Sequence, residues 1–233
     1  MKKTVIASAL CAVTAVALFT GCASSTNSAE QSGFLGDYSD LKEGSKGEAQ
    51  YVYINEQADF TQYTKVRFAP ITVWRTEDSK LDELDDATAQ ELANALFASV
   101  YEALKDDYEI VNENGADTML IRIALTEAVG AKRVMNSVST VIPVGLVASV
   151  GTKAVTGSHA FVGKASVEME ILDSVTSERL AAAVDERAGS KGVEAEWTQV
   201  KKAFDYWANG LKDRLQRLNR ASRMKESLID VVI

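Results

Sequence analysis

A chain of 233 residues with 25 basic and 33 acidic side chains carries a formal charge of −8, which repels phosphate backbones and excludes nucleic acid as an expected partner. An apolar content of 46% and an aromatic content of 7% belong to a globular chain, not a disordered one. The two cysteines, Cys11 and Cys22, both fall near the start, so the rest of the chain has no thiol for catalysis, metal ligation or a disulfide.

Lys2 and Lys3 open the chain and an uncharged apolar run follows from Val5 to Phe19. Small residues then lead to Gly21-Cys22. A positive start, an apolar middle and a small-residue junction make an export signal. The run is shorter than the ~20 apolar residues a spanning helix needs. The Gly-Cys junction marks a lipoprotein: cleavage after residue 21, a diacylglycerol on the Cys22 thiol, and an acyl chain such as palmitate on the new amino terminus. Phe19 stands three before the cysteine, where this junction usually has Leu. Cleavage removes Lys2 and Lys3 and no acid, leaving 23 basic residues against 33 acidic ones, a charge of −10. Because a polybasic run is missing, the expected tie to the membrane is the lipid on Cys22. Ala23, in place of an Asp after the cysteine, points to the outer membrane, with the protein facing the periplasm.

Residues 22–32 are small and polar and read as a flexible tether. The single domain is expected over 33–220. Its first stretch, Gly33 to Gly44, should pack Phe34, Leu35, Tyr38 and Leu41 onto the core as an irregular arm. Tyr51 to Ile54 reads as a short strand, and Lys65 to Trp74 as a longer one with Pro70 at an edge or bulge. Leu92, Leu96, Val100 and Leu104, with Ala89, Ala93 and Phe97 beside them, form one helical stripe over about 85–105. Thr88 and Glu91 have capping-box spacing at its start. Glu109 to Val111, Thr118 to Val129, Ala160 to Leu172 and Arg179 to Glu186 read as strands, the last two joined by a turn at 173–178. A second helix over about 195–218 carries Trp197, Val200, Phe204, Trp207, Leu211, Leu215 and Leu218 at spacings of three and four. Residues 221–233 are left as a tail with an apolar end. The order β-β-α-β-β-β-β-α implies an α+β fold: a mainly antiparallel sheet of four to five strands with two amphipathic helices packed on one face.

An apolar, Gly-rich insertion over about 134–163 interrupts this pattern. Its sequence around Val141, Ile142, Val144, Leu146, Val147 and Val150 is almost free of charge. It suits either a long hairpin connection or short core helix, or an apolar surface that meets the membrane or another subunit.

The opening Gly33-Phe34-Leu35-Gly36-Asp37-Tyr38-Ser39-Asp40-Leu41 resembles the bacterial lipoprotein family known as domain of unknown function 3313. So do Asp59-Phe60-Thr61-Gln62-Tyr63, Val73-Trp74, Val141-Ile142-Pro143-Val144-Gly145, Phe161-Val162-Gly163 and Leu180 to Asp185. The resemblance covers most of the chain after Cys22 and implies no particular activity.

Catalytic motifs are sparse. The one histidine, His159, sits among Gly and Ser without metal-ligand spacing and without a triad pattern. Phosphate-binding glycine motifs are missing, and the acids between Glu77 and Asp86 do not follow the calcium-loop spacing. Trp197, Phe204 and Trp207 are read as core. The expectation is a non-enzymatic envelope module without catalytic residues, metal or cofactor, which binds a protein partner or itself. The alternative is a module that binds peptidoglycan or lipid.

Overall fold

The computed structural model describes residues 29–77, 79–130, 164–188 and 197–232, with side chains to 228. Cys22, His159 and the segment around Val141, Ile142, Val144, Leu146, Val147 and Val150 lie outside them.

The strands are β1 (Lys42–Glu43), β2 (Tyr51–Ile54), β3 (Lys65–Phe68), β4 (Thr72–Val73), β5 (Glu109–Val111), β6 (Thr118–Val129), β7 (Lys164–Asp173) and β8 (Arg179–Ala188). The helices are α1 (Asp86–Leu104) and α2 (Thr198–Val232). One sheet runs β1-β2-β8-β7-β6-β3-β5, with β4 paired to β6 beyond the end of β3. The sheet thus has eight strands, not four to five. Two of the extra ones are only two residues long, below what periodicity can register. The segment Lys65 to Trp74 is not one strand: β3 and β4 lie end to end against β6. Pro70 between them has no N–H to give the ladder; Ala69 N to Ile121 O is the last bond before it, and Trp74 N donates to Leu125 O beyond it.

Most pairings are antiparallel, but β3 is parallel to β5 and to β6. Parallel neighbours need a crossover, and α1 supplies it between β3 and β5. The insertion joins adjacent antiparallel strands, leaving after Val129 and returning opposite it at Lys164. Both sheet edges are short and charged, with Lys42–Glu43 at one side and Glu109 at the other, which discourages further strand pairing.

Alternation divides the sheet into two faces. Met119, Ile121, Ile123 and Leu125 of β6, with Val167, Met169 and Ile171 of β7, face the two helices. Most of the expected stripes are buried: Leu92, Leu96, Val100 and Leu104 on α1, and Val200, Phe204, Trp207, Leu211 and Leu215 on α2, with Trp197 and Leu218 half-buried at the ends, whereas Phe97 is exposed and meets Phe68 edge-on. Between the helices, Ser99 Oγ donates to Asp205 at 2.7 Å and Lys201 Nζ pairs with Glu91 at 3.0 Å. Glu91 is therefore not part of a capping box. Asp85 caps α1, accepting from Thr88 N at 2.9 Å and Thr88 Oγ1 at 2.8 Å.

The opposite face is closed by the N-terminal arm. Phe34 and Leu35 are buried against Ala124, Ala182 and Val184, with Tyr38, Leu41 and Trp74 beside them. The arm begins earlier than the tether boundary at 32 allows: Ala29 is buried, and Ser32 N donates to Glu168. At the other end, α2 runs through the expected boundary at 220 to Val232. Ser222 is still buried and its Oγ accepts from Phe60 N at 3.1 Å.

Candidate functional site: a cleft between α2 and the β2–β8 edge

Seven strand positions at ~4.8 Å span ~29 Å, whereas two helices at ~10 Å each cover ~20 Å. With α1 over the β3–β5 side and α2 next to it, the β2–β8 side is left without a helix. A cavity of about 150 Å³ opens there. Its floor is Val52, Ile54, Val167, Met169 and Ile171, and its helix wall is Trp207, Gly210 and Leu211. Small residues make the space: Ala181 and Ala183 on β8 leave the floor low, and a Cβ at Gly210 would meet nothing within 4 Å.

The outer wall is the turn between β1 and β2. Gly47 takes φ +89° there, and Ser45 N donates to Glu48 Oε2 at 2.9 Å. Two contacts join this turn to α2: Tyr206 O–H donates to Gly47 O at 3.2 Å, and Arg214 pairs with Glu48. The backbone N–H of Ser45, then the arginines Arg214 and Arg217, hold the Glu48 carboxyl below its usual range. Arg217 and Asp213 complete the rim. Inside, Asp185 is buried and accepts from Trp207 Nε1 at 2.7 Å and Gln50 N at 3.0 Å. Burial pushes its carboxyl above the ordinary carboxylate value, and these donors pull it partly back. The cleft is thus apolar in its body, with polar groups that fix its walls and rim. That is the usual chemistry of a binding cavity.

The second polar cluster is structural. Glu168 is fully buried on β7 and accepts from Ser32 N at 2.6 Å, Leu35 N at 3.4 Å and Tyr38 O–H at 2.6 Å. Its neighbour Glu170 pairs with Arg122 and Arg179. Arg179 then donates to the carbonyls of Leu35 at 2.7 Å and Asp37 at 2.8 Å. Every buried side-chain polar atom among the described residues has a partner. This cluster clasps the arm to the sheet.

Asp82, Glu83, Asp85 and Asp86 of the acidic run are likewise spent on structure. Arg75 reaches Asp86 at 3.3 Å, Lys80 pairs with Glu83 at 3.0 Å, and Asp85 is the cap. Among the described residues, no group of three or more His, Cys, Asp or Glu is placed to hold a metal, and no helix is long and apolar enough to cross a membrane. Of the residues read as core, Phe204 is so, while Trp207 is both core and cleft wall. The cleft itself was not expected. Its signal, small residues at Ala181, Ala183 and Gly210 amid apolar patterning, is readable only once β8 and α2 are placed side by side.

A one-sheet α+β domain with both helices on one face and an N-terminal arm on the other is the class of protein defined here. The chain belongs to the family described as protein of unknown function (DUF3313), whose model matches residues 30–211. It is 27% identical over 184 residues to the uncharacterized lipoprotein YdcL of Escherichia coli strain K12, spanning 78% of this chain and 80% of that one. Among solved structures it is similar to the PelC dodecamer from Paraburkholderia phytofirmans, at 12% identity and TM-score 0.38, covering 69% of this chain and 96% of that one. A DUF4136 family protein from Bacteroides thetaiotaomicron, at 12% identity and TM-score 0.35, covers 72% of this chain and 95% of its own.

Proposed function

We propose that the protein is a lipid-anchored, non-catalytic binding module of the cell envelope, held to the outer membrane through Cys22, and that its site is the cleft beside α2. The occupant is an apolar side chain or short apolar segment of a protein partner. The observation that carries this reading is the open, apolar cavity at Gly210, where the helix wall stands away from a floor of Ala181 and Ala183. Likeness to a lipoprotein supports the anchor, and the export signal with its Gly21-Cys22 junction supports it independently.

The test uses the full chain in its native envelope, with a photoreactive amino acid at exposed rim position 213. Irradiation should give one discrete protein adduct, and Gly210→Leu, which fills the cavity, should remove it. Absence of any adduct, or an adduct indifferent to Gly210→Leu, sinks the reading. Retention on purified sacculi that Gly210→Leu abolishes would instead give the cleft to peptidoglycan.

A further inference from the structure

α2 extends past its last buried described residue by the six residues to Leu228, about one and a half turns. Its last buried described residue is Ser222, and every described side chain from Arg223 to Leu228 is exposed. Lys225 Nζ returns to the Glu56 carbonyl at 2.8 Å, which fixes the start of the overhang against the end of β2. Arg217, Arg220 and Arg223 are all exposed. Arg217 adds to the field on Glu48, and Arg220 and Arg223 make no hydrogen bond or ion pair among the described residues. At 100° per residue, all three fall on the half of the helix opposite Leu211, Leu215 and Ser222. Met224 and Leu228 fall on the same half, two thirds exposed at 68% and 67%. Two acids bear on this strip, Asp213 on the same half of the helix one turn before Arg217, and Glu48 facing Arg217, while Glu226 lies about two fifths of a turn round the helix from its centre.

A cationic ridge ending in exposed apolar side chains is the pattern of a helix that lies against an anionic lipid surface: headgroups meet the arginines, and the apolar residues enter the headgroup–acyl boundary. It stands out on a chain whose net charge is −8. We infer that the C-terminal overhang of α2, through Arg217, Arg220, Arg223, Met224 and Leu228, docks on anionic phospholipid headgroups. The inference does not depend on the cleft. Six residues lie between Cys22 and Ala29, a reach of at most ~25 Å over the seven steps, so a lipid-anchored domain would stay close enough for this contact to orient it.

The test is sedimentation of residues 22–233 carrying Cys22→Ser, so that no acyl chain contributes. One set of vesicles is phosphatidylcholine alone, and the other has equal parts phosphatidylcholine and phosphatidylglycerol. Binding should be confined to the anionic vesicles and fall steeply with salt. Arg220→Gln with Arg223→Gln, two residues outside the cleft, should weaken it by roughly 25-fold at about fivefold per basic residue. Met224→Asp should weaken it further, whereas Gly210→Leu should leave it unchanged. The folded state of each variant is checked by circular dichroism. Equal binding to both vesicles, no binding to either, or binding indifferent to the arginines overturns the inference. Loss of binding in Gly210→Leu would overturn it too, by assigning the lipid to the cleft.

Discussion

Tyr38 shows how one side chain decides whether the arm stays down. Its hydroxyl donates to the buried Glu168 carboxylate and accepts from Gly33 N at 2.7 Å. Burial, and then the adjacent carboxylate, push the phenol up to about 12 from an ordinary value near 10. An acid with a raised folded value favours the fold while protonated. This contribution is therefore complete below pH ~10 and is lost as pH rises through about 12. A difference titration of the wild type against Tyr38→Phe, followed by phenolate absorbance, should show one tyrosine ionising about two units late. Tyr38→Phe should also cost ~1.5–3 kcal/mol of arm stability, the range for a hydrogen bond to a charged acceptor. Faster amide exchange at Leu35, with the sheet amides unaffected, is the readout. The arm's apolar residues were legible in sequence as a cluster within turns, but the clasp was not. Glu168 and Glu170 read as the polar side of an alternating strand, and only the burial of that face by the arm turns them into internal anchors.

At the scale of elements, the sequence located both helices through their stripes and bounded α1 to within a residue, but misread the cap of α1 and the end of α2, for local reasons. Thr88 and Glu91 fit a capping box by spacing alone. The chain turns into α1 one residue before Asp86 because Arg75 donates to the Leu81 and Leu84 carbonyls and pairs with Asp86, which makes Asp85 the cap. Asp85→Ala, which removes the cap, should accordingly lower Tm by ~2–4 °C. Glu91→Ala, which loses only an exposed pair with Lys201, should change stability by less than ~1 kcal/mol. Thermal melts of both would distinguish the two caps. The end of α2 was misplaced because its apolar stripe stops at Leu218, whereas arginine and lysine sustain a helix well without one. The same arginines are spaced three apart, so they form a ridge in the helix without ever forming a basic run in the sequence.

The whole molecule explains why a glycine sits in the middle of its longest helix. Gly210 costs ~1 kcal/mol in a helix interior relative to Ala, and nothing stands within 4 Å of where its Cβ would be, so packing does not demand it. What the glycine preserves is space: the sheet is wider than two helices, and the strip they leave bare becomes a cavity only if the wall beside it stays thin. The fold class followed from alternation and helical periodicity. The width of the sheet did not, because β1 is a two-residue strand and β5 and β6 flank β3 in parallel after the crossover through α1. Without that width the cleft could not be foreseen. Gly210→Ala should therefore stabilise the domain by ~1 kcal/mol, a rise in Tm of ~2–4 °C, while weakening capture of the cleft's occupant. A scanning calorimetry trace beside the position-213 crosslinking yield measures both. Higher stability with full capture would mean that the site lies elsewhere and that Gly210 has no binding role. Higher stability with reduced capture would mean that this fold keeps a less stable helix in order to hold its cavity open.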